Sequence, residues 1–288
     1  MAEIVTTGTA LRAAVQMARS RGLRVGLVPT MGALHAGHAS LIDLARVRTD
    51  FVVVSIFVNP TQFGPQEDFD RYPRSFEADV ALCRQHGAAL IFHPSVEEIY
   101  PAGFQTFVEV TALQRRWEGE RRPGHFRGVA TVVAKLFHLV QPDVAFFGQK
   151  DAQQCRIIEQ MVADLALPVE IVIGPTVRDA DGLALSSRNV YLTPAQRQQA
   201  TVLWQALQLG ERLITAGERD AHTVVAAMRR HLATAAEAEI DYVAAVDRRT
   251  LEPLTRLAGP ILLHLVVRFG ATRLLDNLPL DLPAGEAS

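Results

Sequence analysis

The chain has 288 residues, 49% hydrophobic and 21% charged, with a formal net charge of −2. These proportions describe a globular protein able to bury a core without disulfides or a structural metal, and at roughly 100–200 residues per domain the length predicts two domains or one large one. The near-neutral charge argues against a nucleic-acid partner, and the longest apolar run, residues 51–58 interrupted by Ser55, is far too short for a membrane span.

The first twenty residues carry Arg12 and Arg19 and no continuous apolar stretch, so no signal peptide is expected. In chain order, helical periodicity at 9–21 leads to a β-branched strand pattern at 24–28, a helix at 37–49 and a strand at 51–58. A helix at 76–86, a strand at 89–92, a helix at 128–140, a strand at 143–147, a helix at 151–165 and a strand at 169–173 follow. This alternation predicts the α/β class: a parallel, Rossmann-like sheet with right-handed crossovers, whose ligands bind at the carboxyl ends of the strands. Segments 29–38, 59–74 and 148–151 all follow strands in that way. After Val177 the pattern changes. Residues 178–189 read as a loop with an Asp181-Gly182 turn, and Thr193-Pro194 reads as an N-cap with proline in the first helical position. Helices at 194–216 and 220–236, then strands at 240–246, 261–269 and 272–277, predict a second, smaller α+β C-terminal domain. The domains are therefore placed at 1–177 and 178–288, with a short low-complexity tail at 283–288.

Cys83 and Cys155 lie in apolar-periodic segments, outside any CxxC pair or Cys/His cluster. Both read as reduced core thiols of a cytoplasmic protein, and a zinc site of the usual spacing is not expected. The basic residues are 27 arginines and only two lysines, Lys135 and Lys150. A position that keeps lysine in such a chain points to a need for a compact charge on a thin stem.

Four segments carry candidate chemistry. In Val28-Pro-Thr-Met-Gly-Ala-Leu-His35-Ala-Gly37-His38, two histidines stand on the first turn of a helix, where free N–H groups and the helix dipole already favour phosphate. An HxGH turn after an apolar strand resembles the HIGH-type signature of the nucleotidyltransferase superfamily. Asn59 and Gln62 follow a buried strand, and each carries an amide able to donate and accept, as a hydroxy acid would require; a simple Asn-Pro turn is the competing reading. Lys150, in Phe147-Gly148-Gln149-Lys150-Asp151, stands at a strand end before a helix as a phosphate ligand, with Asp151 as a helix cap or a ribose acceptor and Gln154 one turn on. Lys135, in mid-helix, reads as a snorkelling surface residue. Leu185-Ser186-Ser187-Arg188-Asn189 offers two hydroxyls and a guanidinium as a phosphate clamp, similar in role to the KMSKS loop of the same superfamily. The basic run 121–127 reads as a loop before a helix, since no aromatic platform accompanies it.

These segments, with Phe57-Val-Asn-Pro-Thr-Gln-Phe63, Tyr72-Pro-Arg74 and Arg122-Pro-Gly-His-Phe-Arg-Gly-Val129, occur in an order that resembles the pantothenate synthetase (pantoate–β-alanine ligase) family over essentially the whole chain. Thr61, Gln149 and Leu185 stand where many members have Met, Glu and Met; Thr61 lies nearest the substrate and bears on pocket polarity. The resemblance implies an AMP-forming acid–amine ligase. Pantoate attacks the α-phosphorus of Mg2+-ATP to give pantoyl adenylate and pyrophosphate, and β-alanine then gives pantothenate and AMP. It also implies a C-terminal domain closing over the site, a homodimer, and no nucleic acid or membrane as partner. His35, His38, Lys150 and Arg188 are implied as catalytic, with His38 as proton donor. Met31, Gly32, Ala33, Leu34, Ala36, Gly37, Gly148, Gln149, Asp151, Val177, Leu185, Ser186 and Ser187 line the ATP with them. Gln62 and Gln154 hold pantoate with Asn59 nearby. Asp79 aligns with an acidic position near the site; its role and the magnesium ligands stay open. A related adenylyltransferase, which would need more cationic groups beside 59–62, and a non-catalytic nucleotide-binding module are the competing readings.

Overall fold

A computed structural model describes residues 2–65 and 67–283. The described residues divide into two compact units, the first within 2–149 together with 153–175, the second 150–152 together with 176–283. The division falls two residues before the expected boundary, and the short Lys150 turn groups with the second unit. Residues 284–288 of the expected tail lie outside the described residues.

The first unit is a six-stranded parallel sheet in the order β1-β4-β3-β2-β5-β6. Its elements run β1 (Glu3–Val5), α1 (Gly8–Ser20), β2 (Val25–Thr30), α2 (Ala36–Arg48), β3 (Phe51–Ile56), α3 (Phe76–Gln85) and β4 (Leu90–Phe92). Next come the one-turn helices α4 (Val96–Ile99) and α5 (Glu118–Arg121), then α6 (His125–Val140), β5 (Val144–Gly148), α7 (Ala152–Asp164) and β6 (Glu170–Gly174). Every strand and helix expected in this half is present within three residues at either end. β1 was not expected: three residues are too few to show a period, and its pairing with Leu90–Phe92 is long-range.

The central strands are buried on both faces, which is why they read as unbroken apolar runs. Val28, Val52, Val54, Ile56, Ile91 and Phe146 pack with Leu41, Ile42 and Ala45 of α2 and Val80 and Cys83 of α3. α1 and α6 pack together and against β2. Ile42 is fully buried, so truncating it to Ala should cost about 2–5 kcal/mol. Because all six strands are parallel, their carboxyl ends share one edge. The strand order reverses between β2 and β5, and such a switch point opens a crevice for ligands.

The second unit has α8 (Pro194–Gln199), α9 (Val202–Thr215) and α10 (Ala221–Leu232), then an antiparallel sheet of β7 (Ala238–Asp247), β8 (Pro260–Phe269) and β9 (Thr272–Asp281). α9 and α10 bury Leu203, Leu207, Val224 and Met228 against Val243, Leu263, Leu265 and Val267. Thr193 caps α8 as expected, exchanging hydrogen bonds with Gln196. The helix expected over 194–216 is broken at Ala200-Thr201. There the Thr201 hydroxyl donates to the Gln198 carbonyl (3.0 Å), a side-chain bond that competes with the helical ladder.

Candidate active site

Between β2 and α2 the backbone turns through Gly32 (φ +83°) and Ala33 (φ +50°), both left-handed. Asp79 of α3, only 2% exposed, holds this turn. Its carboxylate accepts from the N–H groups of Ala33 (3.0 Å) and Leu34 (2.8 Å) and from the Ser75 hydroxyl (3.2 Å). A Cβ on Gly32 would stand 3.0 Å from that carboxylate, so the position needs glycine for space as well as for φ.

His35 is the N-cap of α2, and its Nδ1 accepts from the Gly37 N–H (3.1 Å). His38 Nδ1 in turn accepts from the His35 N–H (3.2 Å), and the two rings lie 4.2 Å apart. This is a capping box made of imidazoles. A ring nitrogen that accepts carries no proton, so in each neutral ring the proton sits on Nε2, and both histidines are donors through that atom.

After β3, Asn59 caps a single 3-10 turn, Pro60–Gln62. Asn59 is 1% exposed. Its Nδ2 donates to Gln62 Oε1 (3.0 Å) and to the Gly128 carbonyl (3.1 Å), while Gln62 Nε2 lies 3.0 Å from Met31 Sδ. Met31 and Gln62 are thus brought together. α6 can approach this turn because residue 128 is glycine: a Cβ there would fall 2.4 Å from the Thr61 carbonyl oxygen. The Gln62 carbonyl accepts from His125 Nδ1 (2.8 Å), and Arg122, paired with Glu67 at 2.5 Å, reaches the same carbonyl at 3.4 Å. The basic loop before α6 is therefore a clamp on Gln62. Burial raises the Glu67 pKa, but Arg122 outweighs it, and the net direction is down.

Lys135 departs from its sequence reading. It is half-buried, with its ammonium 4.8 Å from the centre of the Phe104 ring and 6.0 Å from that of Tyr100, rather than snorkelling into water. β5 ends at Gly148, whose carbonyl accepts from the Cys155 thiol (3.2 Å). Gln149 begins the next 3-10 turn, and Gln154 lies half-buried in the first turn of α7. The first unit thus gathers Met31 to His38, Asn59, Gln62, Gly148, Gln149 and Gln154 along its strand ends.

The remaining residues belong to the second unit. Lys150 Nζ lies 3.6 Å from the Asp151 carboxylate, and the Lys150 carbonyl accepts from Asn277 Nδ2 of β9 (2.8 Å). Next to Asn277, Asp276 is buried and takes both terminal nitrogens of Arg178 (2.6 and 2.9 Å), whose guanidinium lies 3.7 Å over Trp204. Burial pushes the Asp276 pKa up despite that partner. The expected loop at 178–189 contains a small hairpin. Arg178 bridges Ala184, and the Leu185 N–H donates to the Val177 carbonyl (3.0 Å), which sets Val177 beside Leu185. The Ser186 hydroxyl then accepts from the Arg188 N–H (3.3 Å) and caps the 3-10 turn Ser187–Tyr191, which packs on β9. β9 thus anchors both the Lys150 turn and the Ser-Ser-Arg turn.

The model of the family described as pantoate-beta-alanine ligase matches residues 3–279. The chain belongs to the pantoate–β-alanine ligase family. Its similarity to known members of this ligase family extends nearly end to end. It is 56% identical over 279 residues to the pantothenate synthetase of Moorella thermoacetica, covering 97% of this chain and 99% of that one. It is 53% identical over 274 residues to that of Pelotomaculum thermopropionicum, covering 95% and 97%. Among solved structures of the family, the pantothenate synthetase of Thermus thermophilus superposes with a TM-score of 0.91 at 48% identity, over 96% of this chain and 98% of that one. The pantoate–β-alanine ligase of Francisella tularensis, complexed with β-γ ATP and β-alanine, superposes at 0.77 with 31% identity, over 96% and 97%.

Two groups that hold these turns, Asp79 on Ala33 and Leu34 and Asn277 on Lys150, carry no local sequence signal. Each lies tens of residues from what it holds, and nothing in spacing or period marks it.

Proposed function

We propose that this chain joins pantoate to β-alanine in two half-reactions, with the strand-end groups handling the triphosphate. ATP-dependent formation of pantothenate is the activity of its family. A relative holding β-γ ATP and β-alanine supports both compounds as substrates here. In the first half-reaction a pantoate carboxylate oxygen bonds to the α-phosphorus, and the bond to the β-phosphate breaks, releasing pyrophosphate. In the second, the β-alanine amine bonds to the acyl carbon, and the acyl–oxygen bond breaks, releasing AMP.

The observation that carries this reading is the imidazole capping box. Two Nε2–H donors stand at a helix N-terminus beside the switch point of the sheet. Charge builds on the leaving pyrophosphate, and donors fixed in advance stabilise it without reorganisation. We assign His35 and His38 to that task, His38 as proton donor, together with Lys150, Ser186, Ser187 and Arg188. Met31 to His38, Gly148 to Asp151, Val177 and Leu185 are assigned to the rest of ATP, and Gln62 and Gln154 to pantoate. Among the described residues no three His, Cys, Asp or Glu side chains converge as a metal cage. Mg2+ is accordingly assigned as part of the Mg2+-ATP substrate, held mainly by phosphate and water oxygens, where it neutralises phosphate charge.

No helix among the described residues is long and apolar enough to cross a membrane. We infer a cytoplasmic homodimer as its setting, which sedimentation and fractionation would test. Incubation with ATP, pantoate and β-alanine should yield AMP and pantothenate in equal amounts. Product that retains AMP would favour the adenylyltransferase reading, and no turnover would favour a binding module.

A further inference from the structure

We propose that Tyr100 is a positioning residue for the pantoate site, acting through Asn59 on the amide of Gln62; the proposal rests on Gln62 being the pantoate ligand. An amide is nearly symmetric in shape, so its neighbours decide which end is oxygen. At Asn59 the Thr61 N–H, which donates to Oδ1 at 3.3 Å, and two hydroxyls decide it. Tyr100 Oη and Thr61 Oγ1 both donate to Asn59 Oδ1 at 2.9 Å, and they lie 3.1 Å from each other. With its oxygen fixed on that side, Asn59 turns Nδ2 towards Gln62 Oε1 and the Gly128 carbonyl. Both Nδ2 protons are then committed to protein groups, which assigns Asn59 to support rather than to substrate contact. Gln62 Oε1 is likewise occupied, so its own NH2 is directed to the far side, where Met31 Sδ lies at 3.0 Å. A thioether is a weak acceptor. A pantoate carboxylate or hydroxyl oxygen would be a better partner for that NH2.

The same network accounts for two residues that stood out in the sequence. Thr61, singled out in the sequence as the departure nearest the substrate, supplies one of the two hydroxyls. Lys135, one of the only two lysines, lies over the Phe104 and Tyr100 rings. Phe104 meets Tyr100 edge-on at 5.0 Å, so the ring that carries the hydroxyl is clamped. Burial raises the Tyr100 pKa, which keeps the phenol protonated and able to donate.

The experiment is a double-mutant cycle of Tyr100→Phe and Gln62→Ala, read as the KM values for pantoate and ATP, kcat, and Tm. Tyr100→Phe removes only the hydroxyl. Its pantoate KM should rise about 3–10-fold, the value of one hydrogen bond, with the ATP KM within about twofold. In the Gln62→Ala background the same substitution should add nothing to the pantoate KM, because the group it orients is gone. An equal rise in both backgrounds, or a changed Tm with an unchanged pantoate KM, would overturn the relay. If Gln62→Ala itself leaves the pantoate KM unchanged, the pantoate site assignment fails and the relay with it; a rise there without one in Tyr100→Phe refutes the relay alone.

Discussion

The backbone N–H of His35 donates to Nδ1 of His38 at 3.2 Å. The imidazole that closes the first turn of α2 is thereby turned so that its Nε2–H is the donor. Capping uses Nδ1 and the proposed phosphate stabilisation Nε2 of the same rings, so the two can be separated. Asn is a good N-cap but lacks the imidazole donor. His35→Asn should keep the unfolding free energy within about 0.5 kcal/mol, while adenylate formation, followed as pyrophosphate release, falls about 10²–10³-fold. His38→Ala should lose a similar factor in rate and about 0.5–1.5 kcal/mol in stability, since the bond its Nδ1 accepts from the His35 N–H is lost as well. Unchanged pyrophosphate release in either variant would remove these histidines from the chemistry.

Lys150→Arg keeps the charge but replaces a compact ammonium with a planar fork. The turn is fixed at its carbonyl by Asn277, so the backbone has little freedom to absorb the larger group. ATP should still bind, and the adenylation rate should drop roughly 10²-fold, the order expected for about 1 Å of misplacement. Lys135→Arg is the control. A guanidinium also stacks on Phe104, so turnover should be near wild type. Wild-type turnover in Lys150→Arg would show that only charge matters there.

Much of this was legible in the sequence, for physical reasons. The strands are buried on both faces and the helices have clear apolar stripes, so element type survives in local pattern. The HxGH turn was legible because a strand, two glycines and a helix start constrain one another within ten residues. What holds that turn was not: Asp79 reaches Ala33 and Leu34 from 46 and 45 positions away. Asn59 shows a second limit. An amide after a strand looks the same whether it contacts substrate or supports another amide, and only its partners in the fold distinguish the two. Lys135 shows a third, since a mid-helix lysine carries no sign of the rings it will meet.

His264 of β8 is buried, and burial alone lowers its pKa to about 3 from an ordinary 6.5. The fold therefore holds it neutral, while the unfolded chain takes up a proton below pH 6.5. Its contribution to stability is fully present above about 6.5 and is lost as pH falls towards about 3. Urea unfolding should show stability declining by up to ~1.4 kcal/mol per pH unit below that point from this residue. His264→Leu should flatten the decline between pH 6 and 4 (about two units of the window). An identical pH dependence in the variant would exclude His264 as a source of acid sensitivity.

The central claim is that the pantoate carboxylate attacks the α-phosphorus. Pantoate labelled with 18O in both carboxylate oxygens, turned over with Mg2+-ATP and β-alanine, tests it by following the oxygen. An adenylate intermediate requires one labelled oxygen to leave in AMP and the other to remain in the amide carbonyl of pantothenate, read by mass spectrometry and by the 31P isotope shift of AMP. Label in inorganic phosphate alongside ADP, or AMP without label, would contradict the account.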